Sequence, residues 1–458
     1  MGTFGVRTDL PSPSEYTFHL PWRIPPAVMG TVLSTFPGWG NPLWIWWPQS
    51  LEYTMAHVCM VVFNEYSSDP RVRREAEALI ERGDTVDCVC LDKKKAKSLG
   101  GVRLYATSGK YRGLKRVGHL AAYFRFFCFA FLKVSILHLR RPFDIAQVHT
   151  GPDFLVFTTL VPKLLGAKII LDVHDLMPEM YMAKFGVDYR NWMVRFIIWI
   201  EKISVAFADK TIAVHEPHLS ILAKHGNPRE KFSVLLNLPD HRIFVQRSSV
   251  NPKQKPFRLI YHGTIPDNDR AGLEIALRAV ARVRNEIPSL EFQIIGGGTG
   301  MARLYRWAAE LNLTSCVQFI APVPVEQLPG ILLEASVGII PYAADTFTHY
   351  VLPTKLLEYV ALGIPAIVSR LRAIEAYFDE GMVGYFEPGN ETELANQILS
   401  FYRDPVMAAS VALKAGRFTE TYNWQHHREV YFTLVDSLLP PKAFLVQYEL
   451  KGKSSGER

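Results

Sequence analysis

The densest chemistry in this sequence lies in Leu352-Pro-Thr-Lys-Leu-Leu-Glu-Tyr-Val-Ala-Leu-Gly-Ile-Pro365. A proline in a helix's first turn leaves backbone N–H groups free and presents the positive helix end, a seat for a phosphate-type anion. Glu358, on the same helix, offers a carboxylate that can accept hydrogen bonds from two vicinal hydroxyls. The plainer alternative is a solvated pair with Lys355 at i, i+3. If the anion is a diphosphate leaving group, charge builds on it as the bond breaks and a cation must face it. His174 follows the apolar run 168–173, so its ring is expected at a strand end, although a lone histidine there is more often structural. Glu179, in His174-Asp-Leu-Met-Pro-Glu179, and Glu216, in His215-Glu-Pro217, are weaker candidates for proton removal or for holding a second substrate.

Parallel strands alternating with helices must position these groups. From Met55 onward, apolar runs at 57–63, 85–91, 145–149, 168–173 and 210–214 alternate with helical patterns, as in βαβ units. Asp69 before Pro70 marks the start of a helix over 70–82, and Gly83 ends it. A polar stretch over 246–256 reads as a linker. The alternation then resumes with strands at 258–262, 291–295, 316–320, 337–341 and 365–369 and helices at 270–285, 301–311 and 353–362. The expected organisation is an irregular extension 1–54, a first doubly wound domain 55–245 and a second over 257–415. A helical segment 416–440 is expected to return to the first domain, followed by a tail 441–458. Open sheets of this kind bind ligands beyond the carboxyl ends of their strands, so the two domains should face each other across a cleft.

The run Gly296-Gly-Gly-Thr-Gly300 follows a strand and opens a helix, which invites a dinucleotide-cofactor reading. That site needs an acidic residue about twenty positions on, and 316–320 offers only Gln318. The run therefore reads as a turn that lets backbone approach a nucleotide, with 321–325 as a base-contact loop. Five cysteines without a Cys-x-x-Cys exclude a disulfide scaffold and a cysteine zinc site. No metal site is expected.

Net charge is +7, yet the thirteen Lys and Arg between Asp92 and Asp144 meet no acidic residue. Such a patch attracts anionic surfaces. No groove-reading or RNA-binding signature accompanies it, which argues against nucleic acid. Basic residues around the aromatic-rich segment 119–139 fit a helix lying on an anionic membrane; the alternative packs Phe124, Phe127, Phe131 and Leu132 onto the sheet. The first 54 residues hold five of the nine tryptophans and eight of the 30 prolines, without period. They lack the pattern of a secretory signal, so a cytoplasmic location is expected, peripheral on the inner membrane face through residues 93–141.

Taken in order, Asp69-Pro-Arg-Val-Arg-Arg-Glu-Ala76, His174–Glu179, Tyr261-His-Gly-Thr264 with Arg270-Ala-Gly-Leu273, Gly296-Gly-Gly298 and the Leu352–Pro365 block resemble the glycosyltransferases of family 4. The resemblance spans about Met55 to Leu438. It implies an α/β fold of two Rossmann-like doubly wound domains facing across a cleft, the GT-B architecture. It further implies retaining transfer of a sugar from a nucleoside-diphosphate sugar, UDP- or GDP-linked, to a saccharide or lipid-linked acceptor in polysaccharide or glycolipid assembly, with no cofactor. By the same resemblance Glu358 is the second glutamate of an E-x7-E motif and holds the ribose, His174 orients the sugar, and Arg270 meets the diphosphate. Gly263, Thr264, Gly297, Val323, Leu352, Pro353, Thr354 and Lys355 line the donor site, while Arg71, Glu179 and Glu216 stand on the acceptor side. Tyr350 occupies the position of the first glutamate, and Asp345 is the nearest substitute. A nucleotide-sugar epimerase or hydrolase, and a non-catalytic nucleotide-sugar-binding scaffold, are the competing functions on the same fold.

Overall fold

The computed structural model describes residues 55–92, 97–107, 116–245 and 256–440. The expected extension 1–54, the tail 441–458, all but Pro256 of the linker, and residues 93–96 and 108–115 of the basic segment lie outside the described residues. The first sheet contains β1 (His57–Glu65), β2 (Thr85–Leu91), β3 (Ser98–Leu99), β4 (Val102–Thr107), β5 (Ile145–His149), β6 (Lys168–Val173), β7 (Lys210–Ala213) and β8 (Phe232–Val234). Their order is β3-β4-β2-β1-β5-β6-β7-β8, and only β3 and β4 pair antiparallel. The second sheet contains β9 (Phe257–Thr264), β10 (Leu290–Gly297), β11 (Val317–Ile320), β12 (Val337–Ile340), β13 (Ala366–Ser369) and β14 (Gly384–Phe386). It is wholly parallel in the order β11-β10-β9-β12-β13-β14.

These strands form because both of their faces are covered. Val58–Val62 is buried without alternation, the pattern of a parallel strand with helices on either side. Each sheet accordingly has two apolar clusters, one per face. Strand order reverses at β1, between β2 and β5, and at β9, between β10 and β12. Loops leaving the carboxyl ends diverge at such points and open a crevice.

The helices follow their sequence signals at the ends. Asp69 accepts from the Val72 N–H at 3.2 Å to start Pro70–Arg82, and Gly83, at φ 107°, stops it. The helix expected from residue 270 starts at Leu273, because Asp269 and Gly272 adopt left-handed backbone. Arg270 therefore sits on the loop before the helix, not in its first turn. Pro353 is the N-cap of the helix Thr354–Leu362 rather than its first residue.

The expected break at 415/416 falls inside a continuous helix, Pro405–Thr421, whose Ala415 and Phe418 pack in the second lobe. The chain crosses back at Tyr422–Asn423. Asn423 caps Trp424–Asp436 through the His426 N–H at 3.0 Å, and Trp424, Tyr431, Phe432 and Val435 are buried in the first lobe's core. Burial of such side chains stabilises by roughly 1.5–3 kcal/mol each, so this short helix clasps the two lobes.

Candidate active site

Arg71, on the helix after β1, aims its guanidinium at Asp172 near the end of β6. Nε and Nη2 each donate to a carboxylate oxygen at 2.8 Å, and Nη1 donates to the Leu235 carbonyl at 2.9 Å. Asp172 also meets His149 Nδ1 at 3.0 Å and His174 Nε2 at 2.9 Å. The His174 backbone N–H donates to Thr150 Oγ1 at 2.9 Å, which fixes the ring's origin. Burial opposes charge on His174, but the Asp172 carboxylate outweighs it and holds the imidazolium above the ordinary histidine range. Burial also works against the Asp172 charge, and Arg71 and His174 overcome it, keeping the carboxyl well below its usual range. His149, Asp172 and His174 bring three metal-ligand atoms within 4.8 Å of one another. Arg71 already occupies both Asp172 oxygens and would repel a cation, so the set is built as a hydrogen-bonded relay.

Across the cleft, the helix Thr354–Leu362 opens without a side-chain cap. Its Pro353 and Thr354 line a recess of about 200 Å³ together with His174, Asp175 and His218 of the first lobe and Tyr350 of the second. Free helix N–H groups thus face His174 across an open space. Arg270 donates from Nε to Asp345 at 3.0 Å and stacks over Phe347, a recess-lining residue, at 5.1 Å. Its Nη2 is buried and has no hydrogen-bond partner. His218 is buried with both ring nitrogens unpartnered; burial, then the neighbouring His215, keeps it neutral. Burial pushes the Asp175 carboxyl up, against the pull of His174 and Arg270.

A second, more open recess of about 770 Å³ lies beyond β9 and β10, lined by His262, Gly263, Thr264, Gly297, Pro322 and Val323 among others. The glycines here serve the backbone itself. A Cβ on Gly296 would stand 2.0 Å from the Gly263 carbonyl, and one on Gly298 2.1 Å from the Ile265 carbonyl. The helix Thr354–Leu362 serves both recesses. Thr354 and Leu357 line the first, while Glu358 Oε2 comes within 3.1 Å of His262 Nε2 without hydrogen-bond alignment. Glu358 therefore faces His262 and not Lys355. Lys355 is buried, and its ammonium donates to the phenol oxygens of Tyr261 at 3.1 Å and Tyr342 at 2.9 Å, beneath Gly263.

Several sequence expectations need correction. Arg71 is 2 % exposed and saturated by Asp172 and Leu235, so it supports His174 and is closed to an acceptor. Glu179 is 1 % exposed; its Oε1 accepts from Tyr189 at 2.6 Å and meets His225 Nε2 at 3.1 Å. Glu216 is solvent-facing and paired with Arg229 at 2.5 Å, while its N–H meets Tyr377 of the other lobe at 3.1 Å. Asp345 is committed to Arg270 and to the Phe347 and Thr348 N–H groups at 2.8 and 2.7 Å, so it is no free replacement at the Tyr350 position. Asp172, His149, His218 and His262 escaped sequence reading. A lone aspartate in the strand Ile-Ile-Leu-Asp-Val was the signal available, because a buried charge in a strand must be paired.

Two family models match the chain: a "Glycosyl transferase 4-like domain" over residues 68–237 and "Glycosyl transferases group 1" over residues 256–404. Among curated proteins, a D-inositol 3-phosphate glycosyltransferase of Corynebacterium jeikeium is 26 % identical over 194 residues, 40 % of this chain and 45 % of the relative. The amylovoran biosynthesis glycosyltransferase AmsK of Erwinia amylovora is 25 % identical over 206 residues, 42 % of this chain and 50 % of the relative. The chain thus spans half or less of the length of these relatives. Among solved structures, sucrose-phosphate synthase of Thermosynechococcus elongatus superposes with a TM-score of 0.67 at 16 % identity, covering 84 % of this chain and 99 % of that one. HepE of Anabaena, solved in complex with UDP, superposes at 0.63 and 12 % identity, covering 84 % and 100 %. Matched by both models in the two lobes that form the cleft, with the GT-B architecture of its structural neighbours, the chain belongs to the group 1 glycosyltransferases of family 4.

Proposed function

We propose that the chain transfers a glycosyl unit from a nucleoside-diphosphate sugar to an acceptor hydroxyl with retention of configuration. The carrying observation is the unpartnered Nη2 of Arg270 beside a recess where an uncapped helix end faces His174. A diphosphate seated there would satisfy both sets of donors, and charge building on its departing oxygen would be stabilised without reorganisation. Glu358, beside His262, would accept from the ribose hydroxyls, and the recess lined by Gly297 and Val323 would take the base. His174, held cationic by Asp172, would orient the sugar. In the retaining step the bond from the anomeric carbon to the phosphate oxygen breaks while the acceptor oxygen bonds to that carbon on the same face. The acceptor proton passes to the departing phosphate oxygen, so no carboxylate base is required.

HepE binds UDP, and a Mycolicibacterium smegmatis relative is named for GDP-mannose and a phosphatidylinositol mannoside. These support a UDP- or GDP-sugar donor and a saccharide or lipid-linked acceptor here. The test is donor turnover with and without acceptor hydroxyls. Transfer requires the acceptor; nucleotide release or sugar epimerisation without it would establish the hydrolase or epimerase instead.

A further inference from the structure

The helix layer on one face of the first sheet carries an outer surface that the catalytic reading does not use. The helix Arg116–Arg140 buries Phe126, Ala130 and Val134 against the sheet and turns Leu120, Phe124, Leu132, Ile136 and Leu139 to solvent, Phe124 at 70 %. On the same face, the helix Trp192–Phe207 buries Val194 and Val205 and exposes Trp192, Phe196 and Trp199, Trp192 at 71 %. Segment 153–159 packs between these two helices, and the short helix Leu160–Leu164 beside it leaves Leu164 and Leu165 exposed. Because all three elements share one sheet face, their outward stripes form one surface. The helices on the opposite face present mainly polar residues, Glu81, Gln425, His426 and Glu429, with Val430 exposed among them.

Charge on this surface is mainly positive, although Lys163 is paired with Asp209 at 3.1 Å. The three elements contain Arg125, Lys133, Arg140, Lys163, Arg195 and Lys202, and their only carboxylate, Glu201, is buried against His225 and Asn227. Large apolar and indole side chains among Lys and Arg are the composition of a surface that enters the headgroup layer of an anionic bilayer. Leu120–Arg140 is long and apolar enough to cross a membrane. Its inner stripe is nevertheless core, so it lies along the domain.

We propose that this composite face, from Leu120 and Phe124 across Leu164 to Trp192 and Trp199, docks the first lobe onto an anionic lipid bilayer. Helices after parallel strands begin at the strands' carboxyl ends, so Leu120, Phe124 and Trp192 lie at the cleft end of the face. Docking there sets the cleft mouth beside the headgroups, where a lipid-linked acceptor is presented. That last clause rests on the proposed transferase activity; the docking does not.

The test is co-sedimentation of the full chain with vesicles of phosphatidylcholine alone and with one-third phosphatidylglycerol, without donor or acceptor. The chain should pellet with the anionic vesicles, less as salt rises. The triple variant W192A/F196A/W199A and the double variant L120S/F124S should each lose at least about tenfold in partitioning. The control V406S/L413S, which removes exposed apolar residues of the second lobe, should bind as wild type. Absence of binding at low salt, or binding unchanged in both face variants, overturns the proposal. So does a concentration-dependent dimer that the face variants abolish, since the occupant would then be a second copy of the chain.

Discussion

His174 owes its charge to a residue that never reaches the cleft. Asp172 holds the imidazolium, and Arg71 holds Asp172. The folded pKa of His174 is raised, so the cation persists below that value and is lost as pH rises through it. Asp172→Asn should therefore move the alkaline loss of turnover to lower pH, read from a kcat profile with folding checked by circular dichroism. An unmoved profile would detach His174's charge from catalysis. Arg71→Leu strands a buried carboxylate and should destabilise by about 3–5 kcal/mol in urea unfolding. At this scale the sequence was half legible. Pro353, Glu358 and His174 could be placed at strand and helix ends from the sequence, whereas Glu179 and Arg71 looked free because burial is set by elements distant in the chain.

At the scale of elements, apolar runs were readable, whereas β4, six residues inside the basic segment, and three still shorter strands were not. β1 and the helix Pro70–Arg82 declared themselves through an apolar run and an Asp-Pro cap. β3, β8 and β14, of two or three residues each, are too short for a period to register; they exist because a neighbouring strand templates them. The glycine run was seen for the right position and a partial reason, since its first demand is the approach of the β9 and β10 loops. Gly298→Ala, with its Cβ 2.1 Å from a carbonyl and φ at 153°, should cost about 1–3 kcal/mol or more and weaken nucleotide binding, measured by thermal unfolding and calorimetry. His225 joins three helices by meeting Glu179 at 3.1 Å and Glu201 at 3.0 Å. Burial opposes its charge, and the two carboxylates raise its pKa to about 9. Its contribution is complete below about pH 6.5 and lost as pH rises through about 9. Wild type should lose urea resistance over that window, and His225→Gln should show a flatter profile.

Across the whole molecule, one buried chain of polar contacts links the clasp to the site. Tyr431, on the helix that returns from the second lobe, donates to Gln147 at 2.6 Å, and Gln147 donates to Glu75 at 2.7 Å. Glu75 lies 3.3 Å from Arg71, which holds Asp172. Tyr431→Phe leaves the Gln147 carbonyl unpaired and should cost about 1–3 kcal/mol, with donor affinity unchanged if the chain acts only on stability. Two-lobed architecture was legible because the strand–helix alternation restarts after a polar break. The lobes' mutual contacts, Thr346 to the Glu179 carbonyl at 3.1 Å and Tyr377 to Glu216, had no sequence signal, since each joins residues more than 150 positions apart.

The proposed donor site places a diphosphate between Arg270, the amino end of Thr354–Leu362 and His174. Titration calorimetry of UDP, GDP and their sugars into wild type, Arg270→Ala and Glu358→Gln tests it directly. One nucleotide series should bind wild type, with affinity falling at least about tenfold in each variant while both variants retain wild-type circular dichroism. Binding that is equally tight in all three proteins would place the nucleotide elsewhere.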